Sequence, residues 1–243
     1  MTGRSTRADL ATASTLLERQ WRTLRAWLGR VFADDPGHVV DAPSALPGYT
    51  VVELVAHVGR ALNALAVAEP AAPAVTPLTL AEYFSAFHDR SEEVVQSTRE
   101  LASEIAPAPL AAVDRMAAAA VARLAALGPH DRVVQTPRAP ILLSDMALSR
   151  LIELVVHGDD LDRSVPRFGD HPVDPDALEL TAQALLGIVV ARGGWSLELR
   201  DPLLWVRLAT GRLPRGPDRL GDALAPRFTS DSVPDLGRML PLL

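Results

Sequence analysis

The sequence contains no cysteine and no lysine. Without cysteine there is no disulfide, no thiolate metal ligand and no protein thiol nucleophile. Any thiol chemistry would need a thiol that arrives as a cosubstrate. Without lysine there is no Schiff-base or lysine general-base chemistry, and every basic side chain apart from histidine is an arginine. Long apolar runs are missing as well, and none approaches the roughly 18 residues that a membrane span needs. The N-terminal residues show no apolar leader segment, Ala11–Leu17 being interrupted by Thr and Ser. The expectation is a soluble, cytoplasmic protein. There is no basic block, and the net charge is −6, so nucleic acid is not an expected partner.

What the 243 residues do contain is a high apolar fraction, 48%, with abundant alanine, which favours helices and a substantial core. Apolar residues at helical spacing (Leu10, Leu17, Trp21, Leu24, Leu28, Val31) predict a first helix from about Arg7 to Phe32, stopped by Asp34-Asp35-Pro36-Gly37. A second helix starts with a capping box, Thr50 and Glu53, and runs to about Ala68. A third is expected from the Thr79/Glu82 capping box to about Ile105, and a fourth, Ala-rich, over Leu110–Leu127. Arg132–Pro140 reads as an extended connection. Ser144 is a suitable N-cap for a central helix running to about Arg163, and Asp174-Pro175 is a cap and first-turn pair for a helix ending at Gly193-Gly194. Beyond Arg192 the pattern changes. Trp195–Arg200 alternates as a strand does, Leu204–Leu208 reads as its hairpin partner, Pro226–Ser230 as a third strand and Val233–Leu240 as a closing helix. The expected organisation is a mainly α protein, with a helical domain over 1–192 and a small α+β domain over 193–243.

Chemistry concentrates in the central helix. Met146, Leu148, Leu151, Ile152, Leu154, Val155 and Val156 cover most of its circumference, so it should be buried on all sides. Arg150, Glu153, His157 and Asp160 nevertheless follow at spacings of three, four and three and share one face. Buried ionisable groups are costly unless paired or metal-bound. The segment Glu53-Leu54-Val55-Ala56-His57 repeats the Glu-x-x-x-His spacing of Glu153–His157. Two His and one carboxylate drawn from two helices would leave coordination positions open, as catalytic zinc sites do. On spacing alone, His157 reads either as a ligand or as a satisfied core histidine, and Glu53 already has work as a capping residue. Asp160 could orient an imidazole N–H, whereas Asp159 and Asp162 read as a solvated helix end. Arg150 and Arg60 could each pair a carboxylate of the protein or hold one of a substrate. His38, His130 and His171 lie in loops and His88 among charged residues, and none is given a role.

Pro47–His57 resembles the first metal-ligand segment of the mycothiol-dependent maleylpyruvate isomerase family, within the DinB-like superfamily, and Arg150–Leu161 is similar to its second. Arg207-Leu208-Ala209-Thr210-Gly211-Arg212 resembles a segment of the small C-terminal domain such proteins often carry. Tyr49 stands where the family more often has Trp. The resemblance implies a DinB-like four-helix bundle holding a divalent metal, usually zinc, through His57, Glu153 and His157. It also implies mycothiol as the thiol cosubstrate. In the family's isomerases the thiolate adds to an activated cis double bond, the bond rotates, and elimination returns the thiol. An arginine of the small domain meeting a substrate carboxylate is then expected, with Arg207 and Arg212 as candidates, and Arg150 of the central helix is a further candidate for that catalytic role. A mycothiol S-transferase, a non-catalytic binding module and a dinuclear site recruiting Glu53 are the alternatives.

Overall fold

The structure is a computed structural model and describes residues 8–34, 40–86, 91–165, 169–228, 233–237 and 239–242. The expected helix start at Arg7, its stop at Asp35-Pro36-Gly37, and His38, His88 and Ser230 lie outside them. The protein is mainly α. Four long helices close a ring: α1 (Leu10–Asp34), α2 (Val51–Ala66), α5 (Pro109–Leu127) and α6 (Leu143–Ser164). α1 packs on α6 and α5, and α2 packs on α5 and α6. Between α2 and α5 lie the short α3 (Leu80–Ser85) and α4 (Ser91–Ile105), the latter leaning on α2. The single third helix expected over this stretch is thus two helices, with residues 87–90 not described.

Each main helix forms for local reasons and is then held by burial. In α2 the capping box is complete: the Glu53 N–H donates to Thr50 Oγ1 at 3.3 Å and the Thr50 N–H donates to Glu53 Oε2 at 2.7 Å. Gly59 sits where α2 crosses α5. A Cβ there would come within 2.8 Å of Met116 Sδ and 3.0 Å of Val113, so the glycine tolerates its poor helix propensity in exchange for close approach. In α1 one buried polar side chain, Gln20, donates to the Pro172 carbonyl at 2.9 Å and accepts from the Asp174 N–H at 2.8 Å. This seats the start of α7 (Pro175–Gly193), whose N-terminus is capped by Asp174 as expected. α7 ends at Gly194 with φ +69°, a left-handed cap that glycine adopts without strain.

α6 is the most deeply set element, with every residue from Leu143 to Ile152 buried. The expected cap at Ser144 is replaced by one from outside the helix. Strand β3 (Pro140–Leu142) runs directly into α6, so Ser144 already lies in its first turn, and the Asp131 carboxylate accepts from both the Ser144 N–H (3.0 Å) and its hydroxyl (2.7 Å). β3 pairs antiparallel with β2 (Val133–Gln135), which pairs in turn with β1 (Glu69–Pro70). The extended connection expected from Pro140 back to Arg132 is therefore a hairpin. Its turn is fixed by Thr136, whose hydroxyl accepts from the Arg138 and Ala139 N–H groups, each at 3.2 Å.

After α7 come β4 (Leu197–Leu199), α8 (Pro202–Ala209), α9 (Pro217–Ala223) and β5 (Leu224–Pro226), with β4 and β5 antiparallel. Leu204–Leu208 is helix, not the expected strand. Asp201 caps it by accepting from the Leu204 N–H at 2.9 Å, Pro202 occupies its first turn, and Trp205, Val206, Leu208 and Ala209 are buried. The Trp205 indole N–H donates to the Ala182 carbonyl of α7 at 3.1 Å, which ties this C-terminal part to the bundle. The expected closing helix over Val233–Leu240 is not formed in the described residues. There Leu236 and Leu240 are buried without regular structure, and the Leu242 N–H donates to the Ala209 carbonyl at 2.7 Å.

Replacing Asp131 with Ala strips the α6 N-terminus of its carboxylate, and stability to urea should fall by about 1 kcal/mol. An unchanged midpoint would show that the terminus is satisfied by other means.

Candidate metal centre

His57 projects from α2 one turn past the capping box, and Glu153 and His157 project from α6 one turn apart. Because α2 packs against α6, the three meet. His157 Nε2 lies 3.1 Å and His57 Nε2 3.6 Å from the same oxygen, Glu153 Oε2. The two imidazoles meet edge to face with centroids 4.6 Å apart. One ligand atom from each residue falls within 4.8 Å of the others, and among the described residues this is the one group with that property.

The surroundings of His157 set its tautomer. Its Nδ1 lies 3.1 Å from Asp160 Oδ2. Asp160 is fully buried and accepts from Arg212 at 3.0 Å and from Arg163 at 3.4 Å. Arg212 is itself steadied by donation to the Thr210 carbonyl at 2.8 Å. A carboxylate on Nδ1 leaves Nε2 directed at the cluster, which is the arrangement that orients metal-bound histidines.

Electrostatics separates the three groups. Burial alone would raise the Glu153 carboxyl, but the two imidazoles and Arg150 outweigh it and hold it well below the usual carboxylate range. Burial pushes the His57 imidazole down, towards the neutral form. For His157 burial acts in the same direction, but Asp160 and Glu153 outweigh it and hold the imidazole above its ordinary value. Burial opposes ionisation of Asp160 too, and there His157 and Arg212 prevail and lower it.

These residues fit a divalent cation. His57 Nδ1 is buried without a hydrogen-bond partner, and its Nε2 stands 3.6 Å from the carboxylate, beyond hydrogen-bond length. That leaves Nε2 of this half-buried ring without a hydrogen bond and its lone pair open to a cation. Two neutral nitrogens and one carboxylate oxygen are a donor set suited to zinc or a similar ion. Glu53, which a dinuclear site would recruit, does not join them. It closes its cap and lies 3.4 Å from Arg99.

The family model for the mycothiol maleylpyruvate isomerase N-terminal domain matches residues 5–162, a span that holds all three of these side chains. The chain belongs to this family. No curated protein and no solved structure matches it. In this mycothiol maleylpyruvate isomerase-like chain the cluster opens on a cavity of about 660 Å³. His57, Glu153 and His157 line it, with Arg60, Arg138, Arg150 and Arg212 and a largely aliphatic and aromatic remainder.

The candidate arginines have different surroundings. Arg150 and Arg212 face the cavity. Arg207 is not among its lining residues. Its Nε and Nη2 donate to the two oxygens of Asp159 at 2.9 and 2.6 Å. Asp159, expected to be solvated, is 2% exposed because α8 covers it. Burial raises the Asp159 carboxyl, and His171 and Arg207 outweigh that and lower it. His171, given no role from the sequence, sits 3.4 Å from Asp159, and His130 is exposed. Arg138 was missed because its position depends on the hairpin turn, and the only hint in the sequence is its place between two prolines, Pro137 and Pro140.

His157 is the imidazole whose proton affinity is raised, and the proton on its Nε2 must leave before a cation can bind there. Zinc affinity should therefore be highest above the raised His157 pKa and fall about tenfold per pH unit below it, with one proton released per ion. Affinity that does not change between pH 8 and pH 5 would contradict this assignment of protons.

Proposed function

We propose that this chain is a metal-dependent enzyme that uses a low-molecular-weight thiol, mycothiol, to act on a small electrophile bearing an anionic group, by cis–trans isomerisation in the manner of a maleylpyruvate isomerase. The observation that carries this reading is the convergence of His57, Glu153 and His157 at the wall of a cavity large enough for a substrate. Membership of the family supports the involvement of mycothiol.

His57 Nε2, His157 Nε2 and a Glu153 oxygen would hold the cation. Once bound, a divalent cation, zinc by the family resemblance, supplies Lewis acidity that stabilises a thiolate at neutral pH. The protein's own groups do the rest. Asp160 and Arg212 hold the His157 ring in orientation, and the capped first turn of α2 fixes where His57 stands. Arg150 keeps a guanidinium 4.0 Å from Glu153 Oε1 and offers a positive charge to the substrate's anionic end. Tyr49, Phe84, Val94 and Val95 on the cavity wall limit water around a reactive sulfur. Addition of the thiolate to one carbon of the double bond leaves a single bond that can rotate. Expulsion of the same thiol then regenerates the double bond, so no oxidant or reductant is consumed.

S-transfer differs only in that the thiol stays on the product, and the same three ligands serve it. We place the enzyme in the cytoplasm, where such thiols are kept reduced. Among the described residues no helix is long and apolar enough to cross a membrane.

Cobalt-substituted protein titrated with mycothiol should develop a thiolate-to-cobalt absorption band that saturates at one thiol per chain. Glu153→Gln should lose both the band and the thiol-dependent isomerisation of a cis-unsaturated acid. A protein that binds cobalt but shows no band at saturating thiol would overturn the reading. Mass analysis of the product separates isomerisation from conjugation.

A further inference from the structure

The cavity wall carries more positive charge than the metal centre uses. Four arginines face it, and Glu153 is its one carboxylate. Arg212 is committed to Asp160 and to the Thr210 carbonyl. Arg150 is held differently. Its Nε donates to Ser149 Oγ at 3.2 Å and its Nη1 to the Ala61 carbonyl at 3.1 Å, so the guanidinium plane is fixed between α6 and α2. Its Nη2 is 4.0 Å from Glu153 Oε1, an ion-pair distance, but is buried with no hydrogen-bond partner, in a side chain only 2% exposed. Arg138 stands on the same wall, placed by the Thr136-braced hairpin turn. Burial, with the Arg150 charge next to it, pushes the Arg138 guanidinium down to about 10. Arg60 lies one turn beyond His57 on α2 and is close enough to add to that repulsion. Cations gathered in a partly desolvated wall with a spare donor are stabilised by an anion that accepts from them.

The rest of the wall is largely apolar. Going along α2, the cavity-facing positions run from His57 through Arg60, Ala61 and the exposed Asn63 to Ala64 and Val67. At 1.5 Å per residue, Val67 lies about 15 Å from the metal-ligand end. Val67 is 49% exposed and marks the mouth. Phe84, Val94 and Val95 face the same space from α3 and α4.

We propose that the electrophile is an amphipathic monoanion, an unsaturated acid whose anionic end is received by Arg150, Arg138 and Arg60 beside the metal ligands and whose apolar tail runs along α2 towards Val67. The inference rests on the proposed function for its reaction and goes beyond it in substrate class. A short diacid would satisfy the guanidiniums but would set its second charge against aliphatic wall, at a desolvation cost. A neutral apolar molecule would leave Arg150 Nη2 unmet. Placement of the acid next to the ligand cluster also puts a double bond conjugated to that acid closest to where the thiolate would be held.

The test is calorimetric titration of the zinc-loaded and the zinc-stripped protein with octanoate, succinate and 1-octanol. Zinc content is read separately by elemental analysis. Octanoate should bind at least tenfold more tightly than either of the others. Arg60→Gln should weaken octanoate about tenfold and leave 1-octanol unchanged. Val67→Asp, at the exposed mouth, should weaken octanoate and leave succinate unchanged. Succinate binding as tightly as octanoate, or octanoate indifferent to both substitutions, would overturn the proposal even if zinc is bound at one ion per chain. A preference for octanoate that persists in a protein unable to take up zinc would sustain this proposal while the metal-dependent reading fails.

Discussion

Glu153 is a mostly buried carboxylate with an imidazole on either side, one from its own helix and one from the helix opposite. That contact sets the demands on the surrounding structure. Two imidazoles do not crowd a carboxylate at 3.1 and 3.6 Å in an apolar bundle unless the backbone holds them there. α2 is fixed by its capping box and by the close crossing that Gly59 permits, and α6 by the Asp131 carboxylate at its start. The aliphatic packing around α6 keeps water from screening the charges, so each polar group in the cluster must be answered by another polar group or by a cation.

The C-terminal part of the chain answers several of them. Arg212 reaches back to Asp160, which holds His157, and Arg207 closes on Asp159 one residue earlier. The two arginines come from one short segment around α8 and meet two adjacent aspartates of α6. One pair therefore serves the orientation of His157, while the other joins the C-terminal part to the bundle through a buried carboxylate. A buried ion pair of this kind contributes little over a hydrophobic contact of the same size, but breaking it leaves a charge stranded. This gives the C-terminal part a definite docking position, from which Arg212 and Pro241 line the cavity.

Much of this was legible from the residues. The helices of the bundle follow from apolar spacing and caps, and the three converging side chains were named from a repeated Glu-x-x-x-His spacing and a family resemblance. What escaped the sequence depended on tertiary contacts. Leu204–Leu208 reads as the second strand of a hairpin, but the Asp201 cap, Pro202 in the first turn and the burial of Trp205 make it helix. Ser144 looks like a cap only if the strand before it is not known to run on into α6. Asp159 looks solvated at a helix end until α8 is placed over it. Arg138 has no periodic signature at all, because a hairpin turn rather than a helical face brings it to the cavity.

The central claim is that His57, Glu153 and His157 share one cation. Crystals of the protein grown with zinc and measured on both sides of the zinc absorption edge test it most directly. The account predicts a single anomalous peak about 2.0–2.1 Å from both Nε2 atoms and within similar reach of a Glu153 oxygen. Density showing the three side chains hydrogen-bonded to one another with zinc bound elsewhere, or not at all, would contradict it.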